Sequence, residues 1–220
     1  VMENYFDSRQ QDISKFVEDQ EVVSLIKQNS WSLLDQYLAV YYSNQANYYE
    51  NNFIFTLDPD YTVMASGLPK RASVGLKMRE VPFAKENIEA GVNGKMYFSK
   101  IHISPITFTP VILISAPIKD NGKIIAIAGF AIKIGEFGYS LIQNVNIGSN
   151  GFPFFLTKDL VVIAHKDSKQ AMSDKSNADY ARSVLEADSD LPINFREDDS
   201  IRFLKKKSSS KYDLIVVSDI

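Results

Sequence analysis

The sequence predicts an α/β protein of the α+β kind: a long N-terminal helix followed by two modules with antiparallel sheets. Three observations carry that expectation. Apolar residues recur at helical spacing through the first fifty positions. β-Branched runs separated by turn residues fill the chain from residue 53 onward, and the strand–turn–strand pattern starts afresh after residue 151.

Met2, Phe6, Arg9, Ile13, Phe16, Gln20 and Val23 step by four and three, which predicts one face of a long helix. That face lies either on its own domain or in a dimer seam, and Arg9 and Gln20 at seam positions favour the former. A second helix carries Trp31, Leu34, Leu38 and Tyr41 on one side, with Ser30 as its N-cap. Strands at 53–57 and 62–65 then flank the turn Asp58-Pro59-Asp60. A helix is expected from about residue 79 to 90, stopped by Gly91. Residues 95–103, 111–118 and 124–132 read as three strands, the last two joined by the hairpin signal Asp120-Asn121-Gly122. A short helix at 136–143 precedes a boundary at Gly148, Asn150 and Gly151.

After that boundary, residues 152–164 align without gaps on 53–65. Identities fall at Phe53/Phe152, Phe55/Phe154, Leu57/Leu156, Asp60/Asp159, Val63/Val162 and Ala65/Ala164. A helical patch at 178–187 follows, then strands at 201–204 and 213–217 joined by a Ser/Lys turn. Matching order on both sides predicts a duplicated module, with a helical region at 1–52 and modules at 53–147 and 148–220.

Composition narrows the function classes. A net charge of −3 argues against nucleic acid as a partner. With no cysteine and two histidines, His102 and His165, thiolate zinc sites, cysteine nucleophiles and disulfides are excluded. No carboxylate or histidine cluster has metal-ligand spacing, and no nucleophile elbow or phosphate loop is present. No catalytic residue, metal or cofactor is therefore expected. Asp188, Asp190, Asp198 and Asp199 read as a solvated loop, and Lys205-Lys206-Lys207 as an exposed hairpin tip. The longest uncharged apolar runs, 111–118 and 124–132, fall short of the roughly 20 residues of a membrane span. The chain starts at Val1 without a charged-then-apolar leader, as a piece of a longer protein would.

Several landmarks, in order, resemble a known family. They are Gly75-Leu76-Lys77-Met78-Arg79-Glu80-Val81-Pro82-Phe83, Gly94-Lys95-Met96-Tyr97-Phe98-Ser99, and Ser104-Pro105 followed by the strand from Pro110 to Ile118. Asn121-Gly122-Lys123, Gly148-Ser149-Asn150-Gly151-Phe152 and Val162-Ile163-Ala164-His165 complete the set. Together they resemble the double Cache domains, tandem PAS-like extracytoplasmic sensors of bacterial and archaeal chemoreceptors, histidine kinases and diguanylate cyclases. The resemblance implies a non-catalytic sensing domain, tied to a membrane through flanking segments and working as a homodimer in the full receptor. It also implies a small-molecule ligand in the first, membrane-distal module.

Family members that bind α-amino acids hold the carboxylate with an arginine and the ammonium with an aspartate. The arginine position here is Val81, the first adjoining aromatic is Phe83, Ala84 replaces the second, and the aspartate position is Ala131. Ser99 and Ile101 fall on the intervening strand. Burying a zwitterion without counter-charges costs several kcal/mol, so an ordinary amino-acid ligand is not expected. The resemblance instead implies a neutral or singly anionic metabolite. Phe83 would form an aromatic wall, Val81 and Ala131 apolar lining, and Tyr97 and Ser99 hydrogen bonds. By simple alternation Ile101 shares the face of Tyr97 and Ser99. Arg79 anchors an anion only if the helix register shifts by two. The alternative is a structural or protein-contact ectodomain without a small-molecule ligand.

Overall fold

The computed structural model describes residues 2–145, 151–170, 173–177, 181–186, 193–197, 200–208 and 214–219. They fall into two compact units, Val1–Lys133 and Ile134–Ile220. Among the described residues no helix is long and apolar enough to cross a membrane.

The first unit opens with helices α1 (Met2–Val17), α2 (Gln20–Lys27) and α3 (Trp31–Gln45). The single helix expected through Val23 is thus broken at Glu18 and Asp19. Asp19 caps α2, its Oδ1 accepting the Glu21 N–H at 2.8 Å, because a short carboxylate competes for backbone donors. The Tyr37 phenol donates to the other oxygen, and this bond above all pushes the phenol up to about 12. Ser30 stands at the N-cap of α3 but makes no side-chain cap bond. The apolar face of α1 lies on its own unit. Phe6 and Ile13 are fully buried, Phe6 meets Phe98 at 6.2 Å between ring centroids, and Phe16 meets Phe130 at 5.1 Å. Arg9 is buried with them, paired to Asp12 at 3.2 Å and lying 4.0 Å over the Tyr48 ring.

Those helices cover one face of a five-stranded antiparallel sheet. Its strands are β1 (Tyr49–Phe55), β2 (Val63–Ser66), β3 (Tyr97–Ile103), β4 (Pro110–Asp120) and β5 (Lys123–Lys133), in the order β2-β1-β5-β4-β3. At the β4–β5 turn Asn121 and Gly122 take φ of 48° and 82°. Two successive positive φ values match the twist of a tight hairpin, which is why Asn-Gly signals one.

Helix α4 (Lys85–Val92) links β2 to β3, preceded by single 3₁₀ turns at Met78–Glu80 and Pro82–Ala84. It therefore begins later than the sequence suggested. Pro82 lacks an N–H and disfavours helix in the residue before it. Its stop is also displaced: the left-handed glycine is Gly94, at φ 77°. Gly91 lies inside the helix, where an added Cβ would come within 2.5 Å of Ile127 Cδ1, so it serves close packing.

The second unit contains α5 (Gly135–Ile142), α6 (Ala181–Glu186) and strands β6 (Phe152–Thr157), β7 (Val162–Ala164), β8 (Ile193–Glu197), β9 (Ser200–Ser208) and β10 (Leu214–Asp219). Its sheet order, β7-β6-β10-β9-β8, repeats that of the first unit strand for strand, again wholly antiparallel. Tyr61 and Leu160, partners in the sequence repeat, both adopt left-handed φ, 53° and 62°. The residue after each makes an isolated antiparallel bridge, Thr62 to Lys77 and Val161 to Asp174.

Two expectations fail in the second unit. Strand β8 had no counterpart in the sequence reading, which gave its neighbourhood to solvated loop. Lys205–Lys207 are no hairpin tip: they lie within β9, opposite Ser218, Val217 and Val216 of β10. Alternating β-ladder pairing overrides the weak strand propensity of lysine. Asp188, Asp190, Asp198 and Asp199, like Gly148 and Asn150, lie outside the described residues.

Candidate functional site

The face of the first sheet away from α1, α2 and α3, which α4 covers in part, holds a small cavity, about 30 Å³ in volume. Phe53 of β1, Val111 and Leu113 of β4 and Ala131 of β5 form its floor. Met78, Val81 and Phe83 from the 3₁₀ turns and Ser104, Pro105 and Ile106 from the β3–β4 loop form its walls. Helix α4 is pinned beside it by Asn87, whose Nδ2 donates to Ser115 Oγ at 2.9 Å and to the Leu113 carbonyl at 3.1 Å. The volume admits water molecules or a small head group, whereas metabolite sites span about 300–1,000 Å³.

The two titratable side chains of the cavity, Glu50 and His102, are both placed by irregularities in the ladder. In β1, Tyr49 pairs with Ile132 but Asn51 pairs with Ala131, so one extra residue sits between them. That residue is Glu50. Plain alternation groups it with Asn52 and Ile54, and Asn52 donates to Leu38 of α3. The bulge turns Glu50 to the cavity instead, beside Asn51 and Phe53. In β3, Phe98 pairs with Ile114 while Ile101 pairs with Ile112, again one residue too many. After this bulge His102, opposite Val111, occupies the cavity face.

Glu50 is only 4% exposed. Its Oε2 accepts from Thr109 Oγ1 at 2.5 Å, and its Oε1 is buried without a hydrogen-bond partner among the described residues. His102 stacks on Phe83 with ring centroids 3.3 Å apart. Its Nδ1 lies 3.0 Å from the Lys100 carbonyl. A carbonyl only accepts, so the proton resides on Nδ1 and Nε2 is an acceptor in the neutral ring. Burial pushes the imidazole below its ordinary value, against the opposing pull of the Lys100 carbonyl and the Glu50 carboxylate.

Of the residues singled out from sequence, Val81, Phe83 and Ala131 line the cavity together. Tyr97, Ser99, Ile101 and Arg79 do not. Tyr97 offers its carbonyl to Asn87 at 3.3 Å. Ser99 is committed to the bulge: its hydroxyl accepts the Leu113 N–H at 2.9 Å and donates to the Lys100 carbonyl at 2.7 Å. The expected shared face fails at Ile101, which the bulge sends to the opposite side from Tyr97. Arg79 sits in a 3₁₀ turn outside the cavity, exposed, with its guanidinium 5.5 Å over the Tyr61 ring. Glu50 escapes the sequence reading because it falls in the region taken as helical, and His102 because its strand is read by unbroken alternation. Among the described residues no group of three or more His, Asp or Glu side chains is arranged to hold a metal ion.

Scans of the sequence against family models and against curated proteins give no match. Solved structures do match, and three of them, each at low identity, are these. The ligand-binding domain of the Campylobacter jejuni chemoreceptor Tlp3, in complex with 4-methylisoleucine, is 14% identical with a TM-score of 0.72, covering 98% of this chain and 83% of that one. The extracellular domain of the putative histidine kinase rpHK1S-Z16 is 15% identical with a TM-score of 0.69, covering 98% and 86%. The ligand-binding domain of the Pseudomonas aeruginosa PAO1 amino acid chemoreceptor PctB, in complex with L-Gln, is 16% identical with a TM-score of 0.64, covering 99% and 84%. The chain has the Cache-type fold of the extracellular ligand-binding domains of chemoreceptors and histidine kinases.

Proposed function

We propose that this chain is the extracytoplasmic sensing domain of a transmembrane signal-transduction receptor, without catalytic activity of its own. The first unit is its membrane-distal module and binds a small metabolite. Binding is passed through flanking segments to an output domain, within a receptor homodimer. The observation that carries this reading is the partly polar cavity beside α4 on the first sheet, in a fold whose solved examples include ligand-bound chemoreceptor domains.

Val81 and Ala131 in the cavity wall supply no counter-charges for an α-amino acid, which favours a ligand without both charges. The anionic option expected from sequence requires Arg79 to turn inward from its place over Tyr61. Entry of a whole metabolite requires the wall to yield. The β3–β4 loop is suited to that, with Phe108 78% exposed at φ 58° and Thr109 tethered to Glu50. A ligand that prefers the opened wall shifts the population of that state.

A thermal-shift screen of the purified domain against a broad metabolite library tests the reading. A true ligand raises the melting temperature progressively with concentration, because it binds only the folded state. No stabilisation by any compound would favour the protein-contact ectodomain instead.

A further inference from the structure

The polar groups of the cavity differ in how completely the protein satisfies them. Asn51 donates to Ser73 Oγ at 3.0 Å and accepts from Ser66 Oγ at 3.3 Å. Ser73 donates to Ser66 at 2.7 Å, and Ser104 Oγ accepts the N–H groups of Ile106 and Thr107. Among the described residues Glu50 Oε1 is left over, buried without a partner, and Nε2 of the half-buried His102 ring receives no hydrogen bond from the protein. With the proton on Nδ1, both are acceptors.

Among the described residues no lysine or arginine lines the cavity to neutralise Glu50. A buried carboxylate oxygen without a donor has given up its hydration for nothing in return, and strands seldom keep one without a use. Here a bulge turns that side chain inward. An incoming group that satisfies both atoms must donate hydrogen bonds and carry positive charge.

From these unpaired acceptors we infer that the cavity reads a protonated amine, an organic monocation with an apolar body and no carboxylate. The ammonium donates to Glu50 Oε1 and His102 Nε2, and the body lies along Phe83, Phe53 and Leu113. A primary ammonium has three N–H donors on one small head, which suits two acceptors in a space of about 30 Å³. A carboxylate on the same ligand would meet Glu50 with no cation to receive it. This assignment rests on the sensing function proposed above and names its ligand class, replacing the neutral or anionic metabolite expected from sequence.

The test is calorimetry and thermal shift on the unmodified domain with methylammonium, n-butylammonium and 2-phenylethylammonium, each against the alcohol and the carboxylate of the same skeleton. At least one amine should bind about tenfold or more tightly than both counterparts. Glu50→Gln, checked for folding by circular dichroism, should weaken that amine about tenfold or more and leave the alcohol unchanged. The probe comparison needs no variant, so it decides even if Glu50→Gln misfolds. Amines that bind no better than their counterparts, or that ignore Glu50→Gln, overturn the assignment. If alcohols or carboxylates bind while amines do not, the sensing function stands and the amine fails. If neither these probes nor the metabolite library binds, both fall.

Discussion

His102 couples the cavity to pH. Its ring, stacked on Phe83 and bonded through Nδ1 to the Lys100 carbonyl, holds a proton less readily in the folded chain than in the unfolded one. The unfolded value is about 6.5. Its contribution to stability is therefore fully present above that value and lost as pH falls below it toward the lower folded value. The charged group that faces it is Glu50, whose carboxylate partly offsets the loss by favouring the protonated ring. The melting temperature should fall from about pH 7.5 to pH 5 more steeply in the unmodified domain than in His102→Gln. Equal slopes in the two proteins would assign the pH dependence elsewhere.

At the level of elements, the two bulges matter more to the site than any regular stretch of strand. Each adds one residue, and because side chains alternate with period two, one residue is enough to exchange the faces of everything beyond it. Ser99 closes the bulge in β3 by taking the Leu113 N–H that the interrupted ladder leaves without a strand partner. Ser99→Ala should destabilise the domain by about 1–3 kcal/mol, since it strands a buried donor, and urea denaturation measures it. A loss under about 0.5 kcal/mol would mean that the ladder re-forms without the bulge. Helix α1 illustrates a different rule. Its Phe6, Ile13 and Phe16 are spent on the sheet of their own unit, so that face is not available as a dimer seam.

For the whole molecule, the two units repeat one topology but differ in what surrounds it. The first sheet carries three helices on one face and a polar-edged cavity on the other. Its apolar cluster of Phe55, Val63, Met78, Ala84, Ile88 and Ile127 closes within residues 1–133. That length and core are enough for independent folding. Residues 1–133 expressed alone should unfold in one cooperative transition and be stabilised by a cavity ligand as much as the full chain is. A fragment that binds the hydrophobic dye ANS and lacks a transition would show that the second unit is required.

Much of this architecture is legible in the sequence because it depends on local chemistry. The β-branched runs of β4 and β5 and the Asn121-Gly122 turn between them identify a hairpin without reference to the rest of the chain. The repeat of 53–65 at 152–164 points to a second sheet, and Tyr61 and Leu160, aligned by it, are both left-handed. Val81, Phe83 and Ala131, singled out from sequence, line one cavity. The tertiary structure alone decided the rest. Whether a strand gains a residue depends on which neighbour it pairs with, and no property of Glu50 or Lys100 signals the slip. A charged residue in β1 reads from sequence as an edge or an error. Only when Tyr49 is matched to Ile132 and Asn51 to Ala131 does it become a buried acceptor facing a cavity. Local propensity acts over a few residues, whereas register is settled by the summed packing of both sheet faces.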